Sequence, residues 1–254
     1  YQLHYDKEND DINIEEFEES EIELDKESKE VLDKIYGKGE ESIVENVMKH
    51  APTDVILLTV TNPVDILTYV TYKLSGLPKQ QIIGSGTVLD TSRLKYLISK
   101  HTGIDARYCH TYIIGEHGDS EVAAWSITNI AGMSMKSFFE HYGKCTDEDL
   151  QAMYSEVKNS AYEIIQKKGA TYYAIATAVA RIVECISGGE NSVLTISSVL
   201  NGEYGIEDIS LSIPTQVSGY GVERILDVPF NEIELQGLRS SAKTLKDSLK
   251  SIGF

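Results

Sequence analysis

The middle of the chain alternates short apolar runs with stretches in which apolar residues recur at helical spacing. This pattern predicts, in order, a helix at 43–50, a strand at 54–60, a helix at 63–74, a strand at 81–84 and a helix from 87 to about 101. The run from Val55 to Val60 is almost wholly apolar, which is typical of a strand buried on both faces. Alternation of strands and helices with short connections predicts a parallel sheet over residues 43–104.

Residues 105–254 mix strand and helix patterns without that regular alternation. Strands are predicted at 107–114, 122–130, 192–200, 209–213 and 222–228, and helices at 147–167, 170–186 and 231–251. The mixture is typical of an α+β domain that follows the parallel sheet.

The first 42 residues differ from the rest in charge. They hold 16 Asp and Glu against 5 Lys and Arg, so they carry −11 of the net charge of −17. Apolar residues alternate with acids between Asp10 and Leu24, and a helical pattern covers 25–36. High charge with few apolar residues favours a solvated, disordered segment, so we predict three parts with bounds 1–42, 43–104 and 105–254.

Composition excludes several classes of function. Clusters of Lys and Arg, which a nucleic-acid surface needs, do not occur. No apolar run reaches the roughly 18 residues of a membrane span and no signal peptide is recognised, so we expect a soluble, cytoplasmic protein. Cys109, Cys145 and Cys185 are widely spaced, which favours reduced, buried side chains and no metal site.

His117 is the first candidate for chemistry. It lies in the segment Gly-Glu-His-Gly-Asp at 115–119, directly after the apolar run 112–114. Glycines there let the backbone approach a ligand closely, and an imidazole titrates near neutral pH, which suits it to proton transfer. Taken alone, the segment favours a turn histidine that has no catalytic role.

Asp90 and Arg93 form the second candidate, at the start of the helix predicted from residue 87. Their spacing of three places them on one face of the helix, which also fits an ordinary surface ion pair. The functional alternative gives them separate tasks: a carboxylate orients a histidine, and a guanidinium grips a substrate carboxylate with two parallel hydrogen bonds.

Asn62 is the third candidate, because it follows the apolar strand at 54–60. Ligands of open α/β sheets bind beyond the carboxyl ends of the strands, where Asn62 can bond a cofactor or substrate oxygen. A turn before Pro63 is the alternative interpretation.

Four motifs together resemble the lactate/malate dehydrogenase family in order and spacing. They are Asn-Pro-Val-Asp at 62–65, Leu-Asp-Thr-Ser-Arg at 89–93, Gly-Glu-His-Gly-Asp-Ser at 115–120 and Lys-Gly-Ala-Thr-Tyr-Tyr at 168–173. The resemblance runs from about Ser42 to Phe254 and includes the ending Ser-Ala-Lys-Thr-Leu-Lys at 241–246. It implies an incomplete Rossmann-type parallel sheet followed by an α+β catalytic domain. It also implies NAD as cofactor and a small 2-hydroxy or 2-oxo acid as substrate.

The resemblance assigns roles position by position. His117 is similar to the acid/base that exchanges a proton with the substrate, Asp90 to its carboxylate partner and Arg93 to the clamp on the substrate carboxylate. Asn62 and Thr171 resemble substrate-binding positions. The implied cofactor-binding residues are Asn62, Val60, Ser85 and Ile175.

Thr171 and the ending at 241–246 resemble lactate more than malate dehydrogenases, and the bacterial type in particular. The implied activity is the interconversion of L-lactate and pyruvate in fermentation or glycolysis, by a homo-oligomer such as a homotetramer. His110 matches a position through which many bacterial members bind fructose 1,6-bisphosphate, while Lys95 stands where those members have arginine. A surface Lys and His without an effector is the alternative interpretation.

Two expected features do not occur in these 254 residues. No Gly-x-Gly-x-x-Gly loop is present, and neither is the mobile loop with a second arginine. We therefore expect weak cofactor binding and an apolar sheet edge beside residues 55–60, for which Asp10–Leu24 could supply a substitute strand. Two alternatives to an active L-lactate enzyme stay open: a catalytically inactive interaction or hetero-oligomer subunit, and a dehydrogenase of malate or another 2-hydroxy acid.

Overall fold

The computed structural model describes residues 3–6, 11–14, 42–168 and 171–254. Its helices are α1 (Ile43–His50), α2 (Val64–Ser75), α3 (Val88–Thr102), α4 (Met135–Tyr142), α5 (Asp147–Lys168), α6 (Tyr173–Gly188) and α7 (Glu232–Ser251). Its first strands are β1 (Leu3–Asp6), β2 (Asp11–Ile14), β3 (Leu57–Thr59), β4 (Ile82–Gly84), β5 (Cys109–His110), β6 (Ile113–Ile114) and β7 (Val122–Ala123). The later strands are β8 (Asn129–Ile130), β9 (Met133–Ser134), β10 (Ser192–Leu194), β11 (Ser197–Asn201), β12 (Glu207–Ser212), β13 (Thr215–Ser218) and β14 (Gly221–Ile225).

The central sheet has four strands in the order β12-β11-β4-β3. Strands β3 and β4 are parallel, as predicted, with Leu58 opposite Ile83. Strand β11 joins β4 antiparallel at Ser197 opposite Gly84, and β12 pairs antiparallel with β11. The C-terminal part of the chain thus extends the short parallel pair into one mixed sheet with parallel and antiparallel strands.

Strand β3 is less buried than its sequence predicts. Every residue of β3 is half-buried and the following Val60 is 36% exposed, so burial on both faces is a wrong prediction. The reason is that β3 pairs with β4 alone within the described residues, which leaves one strand edge without a neighbour there. Asp11–Ile14 does not supply a substitute strand, since it pairs with Leu3–Asp6; the rest of that segment and the helix predicted at 25–36 lie outside the described residues.

Helices are predicted more accurately than strands. The observed helices begin within three residues of prediction and end within two, although α4 is not predicted. Two predicted strands are interrupted: residues 107–114 contain a 3₁₀ turn before β5 and β6, and residues 122–130 contain one between β7 and β8. The stretch 192–200 divides into β10 and β11, which belong to different sheets.

Side-chain caps explain why the helices begin where they do. Ser42 and Glu45 form a capping box at α1, in which each side chain bonds the other residue's backbone N–H. Asn231 and Glu234 form the same arrangement at α7. Helices α2 and α3 end at glycines in the left-handed conformation, Gly76 (φ 68°) and Gly103 (φ 73°).

The buried apolar side chains form three clusters around the sheet. The largest lies between α2, β11, β12 and α7; a second lies between α3, α4, α5 and the short strands β5–β8; a third joins α6 to β4 and β13. No helix within the described residues is both long enough and apolar enough to cross a membrane.

Glu234 joins α7 to the segment before β8, and its removal tests that connection. Its buried carboxylate accepts hydrogen bonds from the backbone and side chain of Ser126 as well as from the Asn231 N–H. We expect Glu234→Ala to lower the free energy of unfolding by about 1–3 kcal/mol, because it removes the reciprocal cap of α7 and both hydrogen bonds to Ser126. Urea denaturation measures the loss, and Glu232→Ala, at an exposed neighbour, should cost under about 0.5 kcal/mol. Equal losses in the two variants would contradict this role.

Candidate active site

The Asp90 carboxylate lies between two cationic side chains. Its Oδ2 is 2.6 Å from Nδ1 of His117, and its Oδ1 accepts a hydrogen bond of 3.1 Å from the guanidinium of Arg93. The carboxylate side chain is 4% exposed, whereas Arg93 is 16% and His117 is 23% exposed. This is therefore a largely buried arrangement of three groups in which His117 is the most exposed, and the surface ion pair considered for Asp90 and Arg93 does not describe it.

The surroundings favour a protonated His117. Burial alone would lower the pKa of His117, but the hydrogen bond and charge of Asp90 outweigh it, and the charges of Asp65 and Glu121 add to them. Together they raise the pKa to about 9. His117 is therefore an imidazolium at neutral pH that bonds Asp90 through Nδ1, and its Nε2 is the ring nitrogen available for proton transfer.

Two threonines fasten the start of α3 to β6, the strand that leads to His117. The Thr87 hydroxyl donates to the Ile113 carbonyl at 2.6 Å, and the Ile113 N–H donates to the Thr91 hydroxyl at 2.9 Å. Both threonines are buried; Thr87 directly precedes α3, and Thr91 follows Asp90 in its first turn. The position of Asp90 relative to the segment after β6 is thus fixed by hydrogen bonds close to the site.

The segment 115–117 is held from three other elements. Gly115 exchanges two backbone hydrogen bonds with Ser212 of β12, and the Glu116 N–H donates to the Ser241 hydroxyl of α7 at 2.7 Å. Gly115 has φ +91°, and a Cβ there would lie 3.0 Å from the Ser241 oxygen, so glycine is needed at this position. The His117 N–H donates to Asp65 of α2 at 2.7 Å.

Asp65 is a site residue that the sequence motif contained but to which sequence reasoning gave no role. It lies in the first turn of α2, is 2% exposed, and also accepts a hydrogen bond from Ser197. Burial raises its pKa to about 6, against the lowering effect of the bonds from Ser197 and His117. One sequence signal could have identified it: the helix that begins after Asn62-Pro63 has an apolar first turn except for this acid.

Three residues predicted to bind ligand lie at the carboxyl ends of the parallel strands. Val60 and Asn62 follow β3 and are exposed. Ser85 follows β4, is 3% exposed, and donates its N–H to the Thr59 carbonyl at 2.8 Å. Asp65 lies three residues after Asn62 and accepts a hydrogen bond from the His117 N–H. His117 therefore lies at this same end of the sheet.

The remaining predicted residues lie on α6 and on the face formed by α3 and β5. Ile175 is half-buried and packs against the cluster that contains Ile83 and Val88, next to the start of α3. Thr171 is half-buried just before α6, which begins at Tyr173 and not at 170.

Lys95 and His110, the predicted effector residues, lie on α3 and β5 respectively. Burial lowers the pKa of Lys95, which is half-buried near Cys109, while His110 is exposed.

The cysteines are free in the described residues, as predicted; Cys109 and Cys185 are buried and Cys145 is half-buried. His101, Cys145 and Asp149 have potential metal-ligand atoms within 4.8 Å of one another. Each already has a hydrogen bond, however: the His101 ring contacts the Lys144 carbonyl, Cys145 donates to the Thr146 carbonyl, and Asp149 caps α5. The expectation of no metal site stays a prediction.

Two family models together match nearly all of the described chain from residue 42 onward. One describes the lactate/malate dehydrogenase NAD binding domain and matches residues 34–84, and the other describes the alpha/beta C-terminal domain of the same family and matches residues 87–253. The division into parts at 42 and 104 stays a prediction.

Individual relatives agree with these models. The chain is 57% identical over 212 residues to the L-lactate dehydrogenase of Acetivibrio thermocellus, covering 83% of this chain and 67% of that one. L-lactate dehydrogenase 1 of Clostridium acetobutylicum is 58% identical with the same coverage. The solved minor L-lactate dehydrogenase of Enterococcus mundtii is 44% identical with a TM-score of 0.75, covering 78% of this chain and 63% of that one. This chain spans about two thirds of the length of these relatives, and it belongs to the lactate/malate dehydrogenase family.

Proposed function

We propose that this chain supplies the substrate-binding and proton-transfer part of an NAD-dependent L-lactate dehydrogenase, which interconverts L-lactate and pyruvate. The observation that carries the proposal is the shared Asp90 carboxylate, which holds an imidazole and a guanidinium side by side. Lactate and pyruvate need both groups at once: a cation for their carboxylate, and an acid or base for the oxygen on the neighbouring carbon.

His117 is the proton donor and acceptor in this proposal. In pyruvate reduction the imidazolium gives its Nε2 proton to the carbonyl oxygen as the carbonyl carbon gains a hydride, which leaves lactate and a neutral imidazole. In lactate oxidation Nε2 takes the hydroxyl proton back. Asp90 stabilises the imidazolium and holds Nδ1, so that the same nitrogen faces the substrate in both directions.

Arg93 binds the substrate carboxylate. A guanidinium offers five N–H donors in a planar fork, so the group that bonds Asp90 retains donors for a second carboxylate. The ion pair with Asp90 fixes the orientation of the fork. Lysine would keep the charge but lose the paired hydrogen bonds.

The residues present fit the nicotinamide end of the cofactor. Exposed Val60, half-buried Ile175, the Asn62 amide and the segment at Ser85 combine apolar surface with hydrogen-bonding groups at the carboxyl ends of β3 and β4. In our proposal Asn62 and Thr171 also contact the substrate. NAD supplies or accepts the hydride when bound. The 254 residues contain no glycine-rich phosphate loop, so we expect them to bind NADH weakly.

An effector site and self-association belong to the same proposal. Lys95 and His110 are candidate contacts for fructose 1,6-bisphosphate, since burial lowers the pKa of Lys95 and a bound phosphate would stabilise its charged form. The neighbouring Tyr96 and Tyr108 are 62% and 59% exposed. Exposed tyrosines beside a phosphate-binding pair fit an interface in a homo-oligomer, where aromatic residues are enriched.

Substitution of His117 and Arg93 tests the proposed activity. With NADH at millimolar concentration, we expect His117→Asn to lower kcat/KM for pyruvate about 10²–10⁴-fold, because the general acid is lost. Arg93→Lys should raise KM at least about tenfold, because the fork is lost. Arg107→Lys is the matched control, since Arg107 is exposed and pairs with Asp105 outside the site.

The wild-type chain in the same assay separates the alternatives. Turnover of oxaloacetate well above that of pyruvate would identify a malate-type enzyme. A folded chain without turnover would contradict the proposed activity and favour an interaction subunit, for which the unpaired edge of β3 in the described residues is the supporting observation.

Asp90→Asn tests the electrostatic basis of the mechanism. Without the Asp90 charge, desolvation dominates, so the pKa of His117 should fall from about 9 to near or below its ordinary value of about 6.5. An NMR titration of the imidazole measures this, with His117→Asn to assign the signal and exposed Asp54→Asn as control. Because the folded state binds the His117 proton more tightly than the unfolded state does, the raised pKa adds to the free energy of unfolding. This contribution is complete below about pH 6.5 and is lost as the pH rises through about 9. An unchanged pKa in Asp90→Asn would contradict this account.

Calorimetry with fructose 1,6-bisphosphate tests the effector site. We expect binding to the wild-type chain to weaken at least about tenfold in Lys95→Gln and in His110→Gln, because each loses a phosphate contact. Lys100→Gln, at an exposed lysine on the same helix, should bind like the wild type. Equal affinities in all the variants, or no binding at millimolar effector, would remove this part of the proposal.

A further inference from the structure

Glu121 is a buried acid beside the site that the proposed mechanism does not use. It directly precedes β7 and is 5% exposed. Its Oε1 is, within the described residues, the one buried side-chain oxygen or nitrogen without a hydrogen-bond partner. An ionised carboxylate in that position would be costly, so its environment favours the neutral acid.

Helix α5 fixes the backbone around Glu121. The Tyr154 hydroxyl donates to the Glu121 carbonyl, and the Lys158 ammonium donates to the Asp119 carbonyl at 2.6 Å. These bonds hold the main chain on both sides of residue 120 without occupying the Glu121 carboxyl group. That carboxyl is therefore held in the interior by its backbone and by packing. Since Oε1 has no hydrogen-bond partner within the described residues, a change in the charge of the carboxyl breaks no hydrogen bond at that atom.

Charged groups from three elements act on this carboxyl. Asp90 and Arg93 of α3, His117 of the segment after β6, and Lys158 of α5 all interact with it electrostatically, and the Tyr154 phenol of α5 senses its charge in turn. Burial, and next the negative charge of Asp90, raise the pKa of Glu121 to about 8, while the three cations oppose the rise. Because Glu121 in turn raises the pKa of His117, the two groups titrate as a coupled pair.

We propose that Glu121 is a positioning residue that binds a second proton beside the His117–Asp90 pair and, once ionised, keeps His117 charged at alkaline pH. At neutral pH the neutral acid adds no negative charge next to Arg93, so it does not repel an anionic substrate. At higher pH the Glu121 anion raises the proton affinity of His117 and so preserves the proton donor. The catalytic consequence rests on the proposed dehydrogenase activity, whereas the coupling itself does not.

An NMR titration of His117 without cofactor or substrate tests the coupling. In the wild type, the imidazole signal should show two inflections, one near pH 8 from Glu121 and one from its own proton. In Glu121→Gln the lower inflection should disappear and the proton affinity of His117 should fall about three- to tenfold, because an anion has been replaced by a neutral amide. Glu121→Asp should restore two inflections.

Glu140→Gln is the matched control, because it removes the same charge from an exposed position on α4. It should leave the His117 titration unchanged. Superimposable curves for the wild type and Glu121→Gln, or equal changes in Glu121→Gln and Glu140→Gln, would overturn the proposal. If circular dichroism shows that Glu121→Gln does not fold, the wild-type titration alone decides. A single inflection in that curve would also overturn the proposal. Loss of pyruvate turnover alone would contradict the proposed function and leave this result standing.

Discussion

The site depends on one buried carboxylate that has two cationic partners. Removing a carboxylate from water costs several kcal/mol, and the cost is recovered only with good geometry and full hydrogen bonding. Asp90 meets that condition because His117 and Arg93 each take one of its oxygens. The same bonds that compensate for burying Asp90 also bring the imidazole of His117 and the guanidinium of Arg93 to one carboxylate. The stability of the site and the chemistry that we propose for it therefore share a cause.

The groups around Asp90 come from distant parts of the chain. Thr87 and Thr91 attach α3 to β6, while Ser241 and Asp65 hold the segment that carries His117 from α7 and α2. These elements are separated from one another in the sequence. The site therefore forms only when the mixed sheet and α7 are in place. A loss of hydrogen bonds elsewhere on α7, such as those of Glu234, therefore acts on the same assembly.

The sequence predicts helices and the central residues of the site well, for local reasons. Capping residues such as Ser42 and Asn231 mark helix starts. The family resemblance of the motifs predicts that Asp90, Arg93 and His117 act together. Alternation of apolar residues predicts strands less well, because the 3₁₀ turn at Trp125–Ile127 keeps a similar pattern. The exposure of β3 depends on whether a neighbouring strand is present, which its own residues do not encode.

Asp65 and Glu121 show which site residues escape such reasoning. Each is an acid that affects His117 because it is buried. Burial of an acid depends on the tertiary structure, so the local sequence does not predict it. Together with Asp90 they give the site three carboxyl groups of different character: one bonded to two cations, one held by Ser197 and a backbone N–H, and one with an unpaired oxygen. Such differences set which group carries a proton at a given pH.

The most direct test of the Asp90-centred site is the protonation state of the His117 ring, read from its two nitrogen chemical shifts at about pH 7. With a pKa of about 9 and Nδ1 bonded to Asp90, both nitrogens should carry protons, and the Nδ1 proton should be strongly deshielded. A neutral ring with a single proton on Nε2, or an Nδ1 signal unaffected by Asp90→Asn, would contradict the account.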